Sequence, residues 1–181
     1  MAVIMRRKSL PKYVFDANIF VQAKSLYYQF SFCGGFWQWI VDGHNKGLFC
    51  SCKKVLAELG RGRDDDGAKT WAQSMPAEFF LDDTNNPAVM AIYADVMNWA
   101  YSSTHYTQGA KDEFAGKDEA DAYLIAVAKH HGLSIVSQEQ SNAAQKRRIP
   151  LPDAAKQFGV NTIFIYDLLA AHAIKTFQLH P

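Results

Sequence analysis

The sequence predicts an α/β protein, a three-layer α/β/α sandwich with a mostly parallel central sheet. Two observations support this prediction. Short apolar runs rich in β-favouring residues are typical of strands that are covered on both faces. Segments with helical periodicity lie between these runs, and alternation of strands and helices is typical of βαβ units with right-handed crossovers.

The first strand is predicted at residues 13–15 (YVF), an apolar run that stops abruptly at Asp16. The strand at residues 133–136 follows Gly132, a residue typical of the end of a helix. The other strand candidates share the short apolar profile: 48–50, 79–81 and 162–166.

Three helices are predicted from apolar residues at helical spacing, and a fourth, shorter helix is predicted at residues 153–158, after Pro150 and Pro152. The stripes of the three longer helices are Phe32, Phe36, Trp39 and Ile40; Val89, Ile92, Tyr93, Val96, Met97 and Ala100; and Leu124, Val127 and Ala128.

Length and composition fit one compact domain over residues 1–181, because 49% of the residues are hydrophobic and 20% are charged. The net charge of +1 gives no sign of a strongly basic nucleic-acid-binding protein. No window has the length and hydrophobicity of a membrane span or a signal peptide, so we expect a cytoplasmic protein. Cys33, Cys50 and Cys52 lack the paired spacing of a zinc site, which favours reduced, buried thiols.

Acidic residues follow two of the predicted strands. Asp16 ends the first strand, and Glu139 comes three residues after Val136. In open α/β sheets, ligands bind at the carboxyl ends of the strands, so these acids are candidates for a site. Asp118 and Asp121 lie three residues apart at the start of an apolar helix. The alternative for each acid is a role in capping a helix or complementing its dipole.

Four segments in this order resemble the acidic motifs of PIN domains, the fold of VapC-type toxin ribonucleases. They are YVFDAN with Asp16, VLAEL with Glu58, DAYLIA with Asp121, and IVSQE with Glu139. The later segments RIPLPD and FGV resemble a PIN-like group of prokaryotic proteins of unassigned function. The resemblance spans residues from about 12 to 169.

The resemblance implies an endoribonuclease that uses Mg²⁺ or Mn²⁺, with Asp16, Glu58 and Asp121 as metal ligands. Glu139 would be the fourth acid, although Ser137 and Glu139 stand where the family commonly has Thr and Asp. Asn18 would support the loop after the first strand, and Asp118 would be an auxiliary ligand. Hard divalent cations select oxygen ligands, neutralise charge on phosphoryl oxygens and lower the pKa of a bound water.

The partners that the resemblance implies are an RNA substrate, a protein antitoxin of a toxin–antitoxin pair, and a second copy of the chain. Trp37 could stack on a base, but a role in the core or a dimer interface is favoured. Basic residues that could contact RNA phosphates flank the second and fourth motifs: Lys53, Lys54, Arg61, Arg63, Lys146, Arg147 and Arg148.

Other functions receive less support from the motifs. A haloacid dehalogenase-type phosphatase would need a second Asp two residues after Asp16, where this chain has Asn18. Neither a dinucleotide-binding glycine motif nor a Walker loop follows the first strand. The main alternative is a PIN-like module that has lost catalysis and binds RNA or protein, and the altered motif at Ser137 and Glu139 favours it.

Overall fold

The computed structural model describes residues 11–82, 84–116 and 119–173. Its centre is a five-stranded sheet in the order β3-β2-β1-β4-β5, and every pair of neighbouring strands is parallel. The strands are β1 (Tyr13–Phe15), β2 (Phe49–Cys52), β3 (Phe80–Leu81), β4 (Ser134–Val136) and β5 (Thr162–Ile163).

Helices connect the strands and cover the sheet, which confirms the three-layer α/β/α architecture. A 3-10 turn, Ala77–Phe79, precedes β3. The helices in the described residues are α1 (Ala17–Ser25), α2 (Gly34–Asn45), α3 (Lys53–Gly60), α4 (Gly67–Ser74), α5 (Pro87–Ser102), α6 (Gln108–Phe114), α7 (Asp121–His131), α8 (Leu151–Gln157) and α9 (Ile165–His172).

The first strand lies in the middle of the sheet, and this position explains its apolar sequence. Val14 and Phe15 are fully buried. Val14 pairs with Cys50 on one side and with Ile135 on the other, so both edges of β1 are hydrogen-bonded to parallel neighbours. A strand in this position has no solvated face, which is why its side chains do not alternate between apolar and polar.

Helix α7 is packed almost entirely inside the protein. Ala122 and all five residues from 124 to 128 are buried, although Asp121 begins the helix. Gly132 ends it with a φ of 68°, a left-handed conformation that glycine adopts without steric cost. The predicted helix and its glycine stop are therefore confirmed.

An aromatic cluster fills the space beneath α1, α2 and α4. The Trp37 side chain is 3% exposed and its indole N–H donates to the Tyr28 carbonyl oxygen at 2.7 Å. Trp37 therefore belongs to the core, as favoured, and is not a platform for a base. Phe32, expected on the buried stripe of α2, lies before the helix and is 62% exposed, so that assignment was wrong.

The fifth strand is shorter than its apolar run suggested. The strand ends at Ile163, and Phe164 is the extended residue that precedes α9. Ile165 and Leu168 then bury one face of that helix at a spacing of three. A short apolar run contains too few residues to separate the two periodicities, so the prediction of strand through residue 166 was wrong.

The cysteines and the search for membrane spans give two further results. Cys33, Cys50 and Cys52 are all buried, which confirms the predicted burial of the cysteines. Across the described residues, no helix has both the length and the hydrophobicity that crossing a membrane requires.

Packing of α2 against β2 depends on the absence of a side chain at Gly43. A Cβ atom built there would stand 2.0 Å from Cδ2 of Phe49, whose ring is buried. We expect Gly43→Ala to lower the free energy of unfolding by about 1–3 kcal/mol through overpacking. Urea denaturation measures this change. Gly35→Ala is the matched control, because the same helix has open space there; equal effects of the two substitutions would contradict the packing described.

Candidate functional site

Asp16 lies at the carboxyl end of the central strand. Its backbone N–H donates to the Val136 carbonyl at 3.0 Å, which continues the pairing of β1 with β4 by one residue. The backbone then turns into α1, for which Asp16 is the residue before the first turn. The Asp16 side chain is 5% exposed, so its carboxylate is held at the edge of the sheet beneath the surface.

A network of hydrogen bonds fixes the Asp16 carboxylate. The Ser137 hydroxyl donates to Oδ2 of Asp16 at 2.8 Å. The Asn18 amide donates to the Ser137 oxygen at 3.0 Å and accepts from the Gln138 N–H at 3.2 Å. The Glu139 N–H also donates to the Ser137 oxygen, at 3.1 Å. Ser137 and Asn18 thus join the loops after β1 and β4, the supporting role that the resemblance implied for Asn18.

Asp121 and Glu58 come to the same edge of the sheet from two helices. Asp121 is the first residue of α7. Glu58 lies in α3, the helix that follows β2 directly. Both residues are half-buried. Glu58 follows β2 as Asp16 follows β1, and these adjacent parallel strands end at the same edge of the sheet. Helix α7 instead precedes β4, and its first residue, Asp121, lies at that edge beside Asp16.

Burial and like charge raise the pKa values of the acids next to β1. Burial raises the pKa of Asp16 to about 6, and the Glu139 charge adds to the shift, while the hydrogen bond from Ser137 opposes it. Burial also raises the pKa of Asp121 well above its usual range, and the charges of Asp16, Glu139 and Glu119 act in the same direction. Arg148 opposes the shift of Asp121. These side chains are therefore close enough to repel one another.

Glu58 belongs to the same group of charges. Burial raises its pKa to about 7, with further contributions from the charges of Asp16 and Glu119, whereas Arg61 lowers it. Glu119 was not singled out from the sequence, although it stands beside Asp118 in the motif. These interactions connect five acids, which we call the acid cluster: Asp16, Glu58, Glu119, Asp121 and Glu139.

The Glu139 carboxylate binds neighbouring groups of the protein through both of its oxygens. Its Oε1 accepts from the Arg148 guanidinium at 2.5 Å, and its Oε2 accepts from the Leu151 N–H at 3.0 Å. The Glu139 side chain is 16% exposed and that of Arg148 is 53% exposed. The fourth acid is thus an ion-pair partner of Arg148 at the rim of the acid cluster.

The donor atoms of the acid cluster suit a hard divalent cation. All of them are carboxylate oxygens, and a cation would relieve the repulsion that raises the pKa values. Within residues 11–82, 84–116 and 119–173, however, no three His, Cys, Asp or Glu side chains already form a metal-holding group.

The remaining predicted site residues lie at the rim or outside the described part of the chain. Lys146 and Arg147 are exposed. Arg61 is exposed and acts on the pKa of Glu58. Asp118, expected as an auxiliary ligand, lies outside the described residues. Arg148 was considered only as one of several basic residues, and its contact with Glu139 depends on a loop whose path the sequence does not reveal.

Comparison with known proteins places the chain in a family. A family model described as a domain of unknown function, DUF4411, matches residues 13–176. The chain belongs to this family. The matched range contains every member of the acid cluster in this DUF4411 chain. No curated protein matches the chain.

Stability of the DUF4411 chain should fall as pH rises through the pKa values of the acid cluster. The folded protein binds protons at Asp16 more tightly than the unfolded chain, so the stabilising effect of protonation is complete below about pH 4 and is lost as pH rises through about 6. For Glu58 the corresponding loss begins near pH 4.5 and is largely complete above about pH 7. We therefore expect wild-type stability in EDTA to decrease between pH 4.5 and pH 7.5.

In the DUF4411 chain, replacement of a buried acid by its amide should prevent this loss of stability at higher pH. Asp16→Asn is expected to raise the free energy of unfolding at pH 7.5 by about 2 kcal/mol, and by much less at pH 4.5. Chemical denaturation in EDTA at the two pH values measures the difference. Asp95→Asn, on the exposed face of α5, is the matched control and should change stability little at either pH. Destabilisation by Asp16→Asn at both pH values would contradict the described electrostatics.

Proposed function

We propose that this protein is a metal-dependent endoribonuclease of the PIN type, which hydrolyses RNA phosphodiester bonds with the help of Mg²⁺ or Mn²⁺. The observation that carries the proposal is the acid cluster itself. Acids from four separate segments share one edge of a parallel sheet, where burial raises the pKa values of Asp16, Glu58 and Asp121 and the charges of neighbouring acids add to the shifts. Ligands of open α/β sheets bind at the carboxyl ends of the strands. Carboxylates with shifted pKa values that lie together at this edge are typical of functional sites.

In this proposal Asp16, Glu58 and Asp121 would hold the divalent ion. When bound, the ion would supply neutralisation of charge on phosphoryl oxygens and a water of lowered pKa. Ser137 and Asn18 orient Asp16 through the hydrogen bonds that join the loops after β1 and β4. Preorganisation of this kind limits the movement that a ligand side chain must make before the reaction.

The raised pKa values would also allow acids of the cluster to exchange protons near neutral pH. A carboxyl group whose pKa lies near 6 or 7 can both release and accept a proton close to neutral pH. Glu58 is the half-buried member with this property, and it lies on a helix separate from Asp121.

A second candidate function is that of a catalytically inactive PIN-like module that binds RNA or protein. The contacts of Glu139 favour it, because both carboxylate oxygens already accept hydrogen bonds from Arg148 and Leu151. A fourth acid engaged in this way would not contact a metal directly. The proposed partners are otherwise those that the resemblance implies: RNA, a protein antitoxin that covers the acid cluster, and a second copy of the chain.

An RNA cleavage assay with Mn²⁺ separates the two functions. We expect the wild-type chain to cleave single-stranded RNA, and we expect Asp16→Asn and Asp121→Asn each to reduce the rate by roughly a hundredfold or more, since each removes a carboxylate that would hold the ion. Gel electrophoresis of labelled RNA measures the rates. Asp95→Asn should cleave at the wild-type rate.

Two results would count against the proposal. Equal cleavage by wild type, Asp16→Asn and Asp121→Asn would identify the activity as a contaminant. Specific RNA binding by a wild-type chain that cleaves no RNA with Mg²⁺ or Mn²⁺ would instead support the inactive module.

A further inference from the structure

Arg148 stands between two clefts at the edge of the sheet. One cleft is lined by Glu119, Asp121 and Arg148, together with residues of α6. The other, which we call the amide cleft, is lined by Gln140, Asn142 and Gln145 together with Arg148, its ion-pair partner Glu139, and Pro150. The half-exposed Arg148 guanidinium thus lies between the carboxylates of the first cleft and the side-chain amides of the second.

Among the described residues, Arg148 has one side-chain hydrogen bond and a longer ion pair. Its Nη2 donates to Glu139 at 2.5 Å, and its Nε lies 3.9 Å from Oε1 of Glu113, too far for a hydrogen bond. A guanidinium carries five N–H donors in a planar fork. Glu139 therefore fixes the direction of the side chain and leaves further donors for an anion that approaches from the solvent.

The amide cleft presents donors beside this arginine. The side-chain oxygen of Asn142 accepts from the Ala144 N–H at 3.1 Å, and that of Gln145 accepts from the Arg147 N–H at 3.1 Å. Since these two oxygens are used within the loop, the NH₂ groups are the parts of both side chains that remain to bind a ligand. Hydrogen-bond donors next to a guanidinium suit an anion with several oxygen atoms.

The loop that carries these groups is held in place at several points. The Thr107 N–H donates to the Lys146 carbonyl at 2.9 Å, and His105 contacts the Gln145 carbonyl at 2.9 Å. Ser141 and the Asn142 N–H both bind the Asp153 carboxylate of α8. A long loop without regular structure that is fixed in this way is preorganised for binding and loses little freedom when a ligand arrives.

We propose that Arg148 and the amide cleft bind a phosphate of the RNA strand next to the acid cluster. The inference rests on the proposed function, because it takes single-stranded RNA as the ligand. Arginine binds phosphate through two parallel hydrogen bonds, which gives direction as well as charge. Arg148 would thereby place the strand so that a neighbouring phosphodiester faces Asp16 and Asp121.

The same geometry distinguishes Arg148 from its neighbours. Lys146 and Arg147 are exposed and do not line either cleft. They would contribute to the general attraction of RNA, whereas Arg148 would make a defined contact. Glu139 acts here as the residue that holds Arg148, in addition to its place as the fourth acid of the family motif.

Salt-dependent RNA binding tests this inference. Fluorescence anisotropy of labelled oligouridylate is measured with the full chain in EDTA, where a metal-dependent nuclease leaves the RNA intact. Arg148→Ala is expected to weaken binding roughly tenfold and to reduce the slope of log affinity against log salt by about 0.7, the value for one phosphate contact on a single strand. Arg148→Lys should keep the slope and recover part of the affinity. Lys156→Ala, on α8, is the control and should bind as wild type.

A charge-balanced variant separates a specific contact from net charge. Arg148→Ala combined with Glu139→Gln has the same net charge as wild type, and we expect its slope to stay reduced. Recovery of wild-type affinity and slope in this double variant, or an equal loss in Arg147→Ala, would overturn the inference. Melting temperatures of all variants show whether a loss of binding reflects unfolding.

Failure of this inference can be distinguished from failure of the proposed function. RNA cleavage that depends on Asp16, with unchanged binding in Arg148→Ala, would overturn the role of Arg148 alone. RNA binding that depends on Arg148, without cleavage by the wild-type chain, would overturn the nuclease proposal and leave the phosphate contact in place. A wild-type chain that binds no oligouridylate at any salt concentration would overturn the inference.

Discussion

The pairing of β1 with β4 is the constraint on which the acid cluster depends. The Asp16 N–H continues the ladder to the Val136 carbonyl, and the Ser137 hydroxyl then meets the Asp16 carboxylate at 2.8 Å. Residues that directly follow two adjacent parallel strands cannot separate, because the strands end at the same edge of the sheet. The position of Asp16 next to the loop that carries Glu139 thus follows from backbone hydrogen bonds in the core.

Burial of the acid cluster destabilises the folded state, and the packing of the core offsets this destabilisation. Carboxylates that are removed from water and crowded together disfavour their charged forms, as the raised pKa values of Asp16 and Glu58 indicate. The surrounding elements are well suited to hold them: β1 is fully covered, and α7 is buried from residue 124 to residue 128. A destabilising group held by a rigid scaffold is typical of a site retained for function and not for stability.

The sequence predicts the parts of this structure that depend on local pattern. The run at residues 13–15 and the helix stop at Gly132 were predicted because burial on both faces and a left-handed turn leave clear signals in the residues themselves. Asp16 and Glu139 could be nominated from their places after strands. The end of β5 at Ile163 could not be predicted, since a short apolar run fits either a strand or a buried helix face.

The rest of the site depends on contacts between distant segments. The ion pair of Glu139 with Arg148 forms because the irregular loop after β4 returns to the sheet edge, and no periodicity encodes that path. Glu119 joins the acid cluster through the turn before α7, and Trp37 is buried because the segment after α1 folds over α2. Local pattern thus identified Asp16, Asp121 and Glu139, and the resemblance to PIN domains added Glu58, Asn18 and Ser137. The place of Glu119 and the contact between Glu139 and Arg148 were not predicted.

We propose that these acids act together on one divalent ion. The most direct test is a crystal structure of the wild-type protein soaked in Mn²⁺, with the ion located by its anomalous scattering. We expect a peak within roughly 2.0–2.3 Å of carboxylate oxygens from Asp16 and Asp121. Well-ordered crystals with no anomalous peak at the acid cluster, or with manganese bound only elsewhere on the protein, would contradict it.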